Sequence, residues 1–257
     1  MKRPHRALLL WLCLASAIAG AAADPLVFCF EDENVRPWQT KRGEGLSFDL
    51  LALVAADTGL RFAYRGAPWK RCLHDLKDNR YAGAISVSFK PERLEFGSYP
   101  GGNPPDTGKA IYVERYVVVR RREDATPLAG SLRGFQGIAG GQLGYSVVDD
   151  LRQAGIRVDD GARSSEDLLQ KLRAKRIDVA VMLQGEIQSL LADNAGLRQA
   201  LSILPEPFAE KPYYLLLSHQ FVGSQPELAA RIWQSIPRQR ANPTYLEKER
   251  RALGASR

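Results

Sequence analysis

Two stretches that lie 96 residues apart decide how this chain folds: LHDLKDNRYAGA at residues 73–84 and LQKLRAKRIDVA at residues 169–180. Each begins with leucines at helical spacing, passes through a basic turn and enters a short run that is typical of a buried strand. Two generic helix–strand units could match by coincidence, but the same order of a strand, a helix, a strand, a helix and a strand surrounds both stretches. The chain is therefore predicted to hold two α/β halves of similar construction. The matching pairs are Leu73 with Leu169, Leu76 with Leu172, Lys77 with Arg173, Arg80 with Arg176, and Ala84 with Ala180.

The apolar periodicity around these stretches predicts five elements in each half. Units of this kind form parallel strands with right-handed crossovers. In the first half we expect strands at 25–30, 60–64 and 82–86, with helices at 46–58 and from Trp69 onward. In the second half we expect strands ending at 139, at 156–158 and at 177–182, with helices at 145–154 and 165–175.

The ends of these strands are where a ligand is expected. Open α/β sheets bind ligands beyond the carboxyl ends of their parallel strands. A glycine-rich turn at 137–144 leads into a helix whose N-terminus points at this edge. Because no Gly-Lys-Ser/Thr follows the turn, a phosphate loop is not indicated. The candidate binding residues are Glu31, Trp69, Ser86 and Ser88 in the first half, and residues 142–146, Met182 and Gln184 in the second half, with Gln142 and Gln184 as its polar side chains.

Two further apolar runs, at 111–120 and 213–218, are candidate hinge strands between the halves. The last two helices, predicted at 226–236 and 243–253, begin at prolines in the first helical position, where proline is favoured. We expect both helices to pack on the first half. The predicted domains are residues 24–115 with 219–257, and residues 116–218 including the hinge strands.

Residues 1–23 are predicted to be a secretory signal peptide. A basic start is followed by an apolar segment at 7–20 and by small residues before Asp24. Removing this segment takes the net charge from +7 to +4. The basic residues that remain in excess lie in the tail at 238–257, a distribution that does not favour nucleic-acid binding.

Two cysteines follow the signal peptide, Cys29 and Cys72. In an oxidising compartment such a pair is predicted to form a disulfide. With two histidines outside the signal segment and no ligand spacing around them, neither a metal site nor any cofactor is predicted.

One segment carries a resemblance to a known family. The run AISVSFKPER at 84–93, with Phe96 and Tyr99 after it, resembles the periplasmic solute-binding proteins of ABC importers, of the polar amino acid-binding class known as family 3. GLSFDL at 45–50 and KRID at 175–178 support this resemblance. It implies a two-lobed α/β fold, the type II periplasmic binding protein fold, with two parallel-sheet lobes joined by hinge strands. It also implies a monomer that captures a small polar solute and delivers it to an ABC permease in the inner membrane.

The resemblance also implies residue roles. Arg93 matches the arginine that pairs with a ligand carboxylate, and Ser86 and Ser88 match residues that bond the same ligand. Trp69 falls where the family places an aromatic ring against the ligand. On pattern alone, Arg93 could instead be a surface arginine beside Glu92 or Glu95, and Trp69 could be a core residue of its helix.

The sequence departs from the family at one point. An aspartate that holds the ligand ammonium is expected after the last strand of the second half, where this chain reads MLQGE at 182–186. Either Glu186, Gln184 or an acid at 31–33 replaces it, or the ligand has no α-ammonium.

Two other functions remain open at this stage. Some proteins that resemble this family are cyclohexadienyl dehydratases, in which a buried carboxyl group acts as a general acid, and Glu186 could serve in that way. A sensory module that reports ligand occupancy to a membrane receptor is the other. The preferred interpretation is a binding protein that serves transport and catalyses no reaction.

Overall fold

The computed structural model describes residues 24–124 and 127–254. The predicted signal peptide therefore lies outside the described residues. Within the described ranges no helix has both the length and the apolar character needed to cross a membrane.

In the part of the chain that the structure describes, eight strands form one mixed sheet. Their bounds are β1 Leu26–Glu31, β2 Phe62–Ala67, β3 Gly83–Ser88, β4 Tyr112–Arg121, β5 Ile138–Gln142, β6 Arg157–Ala162, β7 Val179–Leu183 and β8 Leu201–Leu217. The spatial order is β2-β1-β3-β8-β4-β7-β5-β6. β1, β2 and β3 are parallel, as are β5, β6 and β7, while β4 and β8 run antiparallel to their neighbours at the centre. The sheet therefore has two parallel halves joined by an antiparallel pair.

Nine helices and two short 3₁₀ turns pack around this sheet in the described ranges. The helices are α1 Leu46–Thr58, α2 Trp69–Lys77, α3 Ser146–Gln153, α4 Ser165–Arg173, α5 Gln184–Asp193, α6 Ala195–Ala200, α7 His219–Ser224, α8 Pro226–Arg240 and α9 Pro243–Gly254. The 3₁₀ turns are Pro91–Glu95 and Thr107–Lys109.

The internal repeat of residues 73–84 and 169–180 extends to the backbone. α2 and α4 begin and end at the same offset of 96 residues, and the second residue past each helix adopts the left-handed conformation, Asn79 after α2 and Lys175 after α4, both at φ 58°. Asn79 N–H donates to Leu76 O at 2.9 Å, and Lys175 N–H donates to Leu172 O at 3.1 Å. The same turn therefore delivers β3 and β7 to equivalent places in the two halves.

The antiparallel centre differs in part from the predicted hinge strands. β4 agrees with the run at 111–120, but β8 begins at Leu201, twelve residues before the predicted start. The first part of this strand was not predicted because prolines and charged residues at 205–212 interrupt the apolar run. They are tolerated because the segment pairs with β4 through residues such as Pro207 and Pro212 and is only partly buried.

The C-terminal helices pack on α1, as predicted from the sequence. Ser235 and Arg238 of α8 both donate to Asp57 Oδ2 at 2.6 Å, and Lys248 of α9 donates to Asp49 Oδ1 at 2.7 Å. These contacts tie the end of the chain to the half that contains β1, β2 and β3.

The predicted disulfide is confirmed: Cys29 of β1 and Cys72 of α2 are bonded, and both are fully buried. The bond fixes α2 against the strand that ends in Glu31. The first residue of α2, Trp69, is therefore held close to the carboxyl end of the parallel strands.

Candidate functional site

A pocket lies where the carboxyl ends of β1, β3 and β7 meet the central strands. It holds about 370 Å³ of space when its open mouth is included. Its wall is formed by Glu31, Val35, Gln39, Trp69, Ile85, Ser86, Ser88, Arg93, Tyr112, Tyr116, Tyr145, Ser146, Leu183 and Tyr213.

Arg93 is the basic residue of this wall. The 3₁₀ turn Pro91–Glu95 brings its side chain back over the end of β3, and the residue is only 4% exposed. Nη1 donates to Ser88 O at 2.7 Å and to Ser88 Oγ at 2.8 Å, and Nη2 donates to Gly144 O at 2.9 Å. Among the described residues no carboxylate lies within the 4.0 Å salt-bridge distance of this guanidinium. A buried arginine bonded only to neutral oxygens is suited to receive an anion.

Trp69 supports the guanidinium from one side. The Arg93 Cζ atom lies 5.5 Å from the centre of the indole ring, a cation–π distance. Gly144 approaches the same ring, since a Cβ atom there would lie 3.3 Å from Trp69 Cδ1, and its φ of +82° disfavours any side chain. The loop at 142–146 therefore brings a carbonyl oxygen, that of Gly144, into contact with Arg93.

The two predicted serines occupy an irregular end of β3. Ser86 has φ 60°, and the pairing of β3 with β8 shifts register between Ala84 and Val87. Bulges of this kind redirect side chains and are common beside functional sites. Ser88 Oγ lies 2.9 Å from Ser146 Oγ at the start of α3, so a hydroxyl pair joins the two halves of the sheet.

Four tyrosines complete the wall. Tyr112 is stacked between Trp38 and Tyr213, with ring centres 3.9 Å and 4.8 Å away. The hydroxyls of Tyr116 and Tyr213 are 2.8 Å apart. Burial raises the pKa of Tyr112, Tyr116 and Tyr213 above the usual value of 10. These phenols therefore remain neutral groups that can both donate and accept hydrogen bonds.

Glu31 is the acid of the pocket wall. The Tyr145 hydroxyl donates to Glu31 Oε2 at 2.7 Å, which links β1 to the turn before α3. Burial raises the pKa of the Glu31 carboxyl from 4.5 to about 7, although the bond from Tyr145 acts in the opposite direction.

Five predicted site residues, Glu31, Trp69, Ser86, Ser88 and Arg93, line this pocket together. Two others do not. Gln142 is buried at the end of β5, where its Oε1 accepts from Ser165 at 3.2 Å, so its side chain points toward α4. Gln184 begins α5, and the chain has already turned away from the pocket after Leu183.

Glu186 lies close by but in a different environment. It is 3% exposed and borders a second cavity with Asn34, Arg36 and Glu166. Its Oε2 atom has no hydrogen-bond partner among the described residues. Burial raises the pKa of this carboxyl from 4.5 to about 8. Glu186 therefore does not line the pocket of Arg93.

Sequence reasoning missed three of the four tyrosines, since only Tyr145 lies in the predicted segment 142–146. Tyr112, Tyr116 and Tyr213 lie in the predicted hinge strands, where they were read as part of apolar runs. A usable signal was present, because Tyr112 and Tyr116 are four residues apart and therefore share one face of β4. That face points toward the pocket.

Comparison with known proteins establishes the fold. No family model matches the chain, and no curated protein matches it. Solved structures do. The glutamate-bound ligand-binding core of GluR0 from Nostoc punctiforme superposes with a TM-score of 0.69 at 18% identity, over 89% of this chain and 99% of the other. A histidine kinase sensor domain with similarity to periplasmic binding proteins gives 0.71 at 18% identity, over 91% and 97%.

A third example is ArtJ from Geobacillus stearothermophilus, which binds arginine, lysine and histidine according to its description. It gives a TM-score of 0.69 at 16% identity, over 90% of this chain and 96% of the other. The chain therefore has the two-lobed periplasmic binding protein fold, as predicted.

Proposed function

We propose that this protein is an extracytoplasmic solute-binding protein that captures a small carboxylate-bearing solute in the pocket around Arg93. The observation that carries the proposal is the buried guanidinium of Arg93, which faces the pocket without a carboxylate partner among the described residues. A planar guanidinium can bind a carboxylate through two parallel hydrogen bonds. Ser86 and Ser88 add hydroxyls beside it, and Trp69 holds it in place.

The second part of the proposal is that the protein closes around its ligand. We assign residues 24–115 with 219–257 to one lobe and residues 116–218 to the other. Three contacts support a closed arrangement across this division: Arg93 with Gly144, Ser88 with Ser146, and Lys90 with Asp149. All three join β3 and the turn after it to the region around the start of α3.

The partner and location follow from the same proposal. A soluble receptor of this type acts in the periplasm as a monomer and delivers its ligand to an ABC permease in the inner membrane. The structures compared above support this role, because one is bound to glutamate and another is described as binding arginine, lysine and histidine. The disulfide between Cys29 and Cys72 supports an oxidising compartment.

A sensory role is the second candidate, and the likeness to a histidine kinase sensor domain favours it. The same pocket would serve both functions, so ligand binding alone does not separate them. The dehydratase alternative has less support. Glu186 has the raised pKa of a general acid, but it borders a different cavity from Arg93. Turnover of prephenate or arogenate by the purified protein would establish that activity.

The test is a thermal-shift screen of the purified protein against small carboxylates, followed by calorimetry on each hit. A ligand at 100 times its Kd adds about 2.7 kcal/mol of stability. Arg93→Ala should weaken binding by roughly two to four decades, since removing one partner of a buried charge pair costs about 3–5 kcal/mol. Arg115→Ala is the matched control, because Arg115 is exposed and pairs with Glu210 outside the pocket. An affinity of Arg93→Ala within threefold of wild type would refute the proposed site.

A further inference from the structure

A second cavity lies outside the pocket of Arg93. It holds about 440 Å³ of space when its open mouth is included. The loop after β1 contributes Asn34 and Arg36 to its wall, and α4 and α5 contribute the rest. Among the described residues, none lines both this cavity and the pocket of Arg93. A ligand of this cavity would therefore bind at a site of its own.

Glu186 presents an unpartnered acceptor in this cavity. The residue lines the cavity and is only 3% exposed. Its Oε2 atom is buried and has no hydrogen-bond partner among the described residues. A buried polar atom without a partner costs free energy, and a buried carboxylate without one costs more. Glu186 therefore needs a hydrogen-bond donor that the described residues do not supply.

The acids of the cavity wall outnumber its bases. Asp193 lies 3.5 Å from Arg36, and both side chains are more than half exposed. Glu166 and Glu186 make no ion pair among the described residues. Glu166 is exposed, and it is close enough to Glu186 for its charge to raise the pKa of that carboxyl. Two neighbouring carboxyl groups of this wall therefore lack an ion-pair partner.

The arrangement suits an organic ammonium ion better than a metal ion. A metal ion needs several ligand atoms that converge on one point. Among the described residues, the only three histidine, cysteine or acidic groups within 4.8 Å of one another are those of His74, Asp75 and Asp78, and none of these lines the cavity. A primary ammonium ion has three N–H donors, so one buried acceptor can hold it. Leu190, on the same wall, offers an apolar surface for an alkyl chain.

We propose that this cavity is a second binding site, for a primary alkylammonium ion whose N–H groups donate to Glu186. The alkyl chain lies toward Leu190, and the charge of the ammonium compensates the buried carboxylate. The second unpaired acid, Glu166, favours a diamine over a monoamine. This site is independent of the proposed solute-binding function, because Arg93 does not line it.

The experiment measures the binding of butane-1,4-diamine and of propylamine, each alone, to the wild-type protein. Calorimetric titrations up to millimolar concentration are run at constant ionic strength and at pH 8.5, above the raised pKa of Glu186 of about 8. The diamine should bind at least tenfold more tightly than propylamine. Tetramethylammonium, which carries the charge without an N–H donor, should not bind. Glu186→Gln should weaken diamine binding at least tenfold, while Glu210→Gln should not change it, because Glu210 is exposed and pairs with Arg115 outside both cavities.

Four results would overturn the inference. The first is that neither amine binds, which would mean that a proton or a water molecule satisfies Glu186. The second is that tetramethylammonium binds as tightly as propylamine. The third is that Glu31→Gln abolishes diamine binding while Glu186→Gln does not, which would place the amine in the pocket of Arg93. If circular dichroism shows that Glu186→Gln does not fold, Glu166→Gln, an exposed substitution, decides instead. It should bring the two amines within threefold of each other, and an unchanged preference for the diamine is the fourth result.

Discussion

Loss of the Cys29–Cys72 disulfide should destabilise the protein by about 4 kcal/mol. The two residues are 43 positions apart in the sequence. Closing a loop of that length in the unfolded chain removes conformational entropy worth about 4 kcal/mol at 25 °C. Domains have total stabilities of roughly 5–15 kcal/mol, so this one bond is a large part of the whole. The double variant Cys29→Ala/Cys72→Ala removes it without leaving a free thiol.

The assay is urea unfolding followed by circular dichroism, with wild type and the double variant compared at one pH. The variant should unfold at lower urea and with a steeper dependence on urea, because its unfolded state is no longer held compact. Wild type with reductant but without denaturant is the control, and it should stay folded because both cysteines are fully buried. Two reactive thiols in denatured, unreduced wild type would refute the bond. A loss below 1 kcal/mol would refute the entropic estimate.

Three further outcomes follow from the site. The Glu31 and Glu186 carboxyls have pKa values raised by burial to about 7 and about 8, so the folded state holds their protons more tightly than the unfolded state does. Their contribution to stability is complete below about pH 4.5 and is lost as pH rises through those values, by at most roughly 3 kcal/mol for Glu31. Thermal melts from pH 4.5 to 8.5 should show this loss of stability, and Gln substitutions should make the stability less dependent on pH. A wild-type stability that does not change with pH would contradict the prediction. Gly144→Ala should weaken ligand binding, because a side chain is strained at φ +82° and its Cβ atom would lie 3.3 Å from Trp69 Cδ1, a tight contact. Gly155→Ala is the control: its φ is +75° with nothing nearby, so it should lower stability by about 1–2 kcal/mol and leave ligand affinity unchanged. Equal ligand affinities of the two variants would show that Gly144 is not part of the binding site. Ligand should also reduce the radius of gyration measured by small-angle scattering, because a ligand that touches both proposed lobes would favour closure. An unchanged radius with saturating ligand would indicate a rigid pocket.

Local patterns predicted much of the fold because the two halves are regular. α1 has the predicted bounds, 46–58, since leucine spacing marks its start and Gly59, at φ 70°, marks its end. α5 and α6 were not predicted. α5 has a weak apolar face and begins with Gln184 and Gly185, which give no clear start signal. Their positions depend on packing against β4 and β8, which a local pattern does not encode.

The candidate site was predictable where one rule applied. Residues at the carboxyl ends of parallel strands, such as Glu31 and Ser88, could be found from strand order alone. The same rule does not find the tyrosines of β4 and β8, because those strands are antiparallel and reach the pocket from the centre of the sheet. Nothing local in the sequence predicted the bulge at Ser86 either, since serine seldom adopts φ 60°.

The bonds that Arg93 already makes leave part of its guanidinium for a ligand. Of its five N–H groups, two on Nη1 donate to Ser88 and one on Nη2 donates to Gly144 O. The second hydrogen of Nη2 and the Nε–H group remain for a ligand, and a neutral ligand group would form only ordinary hydrogen bonds with them. A carboxylate forms a charge-assisted bond that is roughly twice as strong, and in a buried site the two opposite charges also compensate each other. The proposed site therefore favours an anion over a neutral solute of the same shape, and selectivity for charge would arise at Arg93.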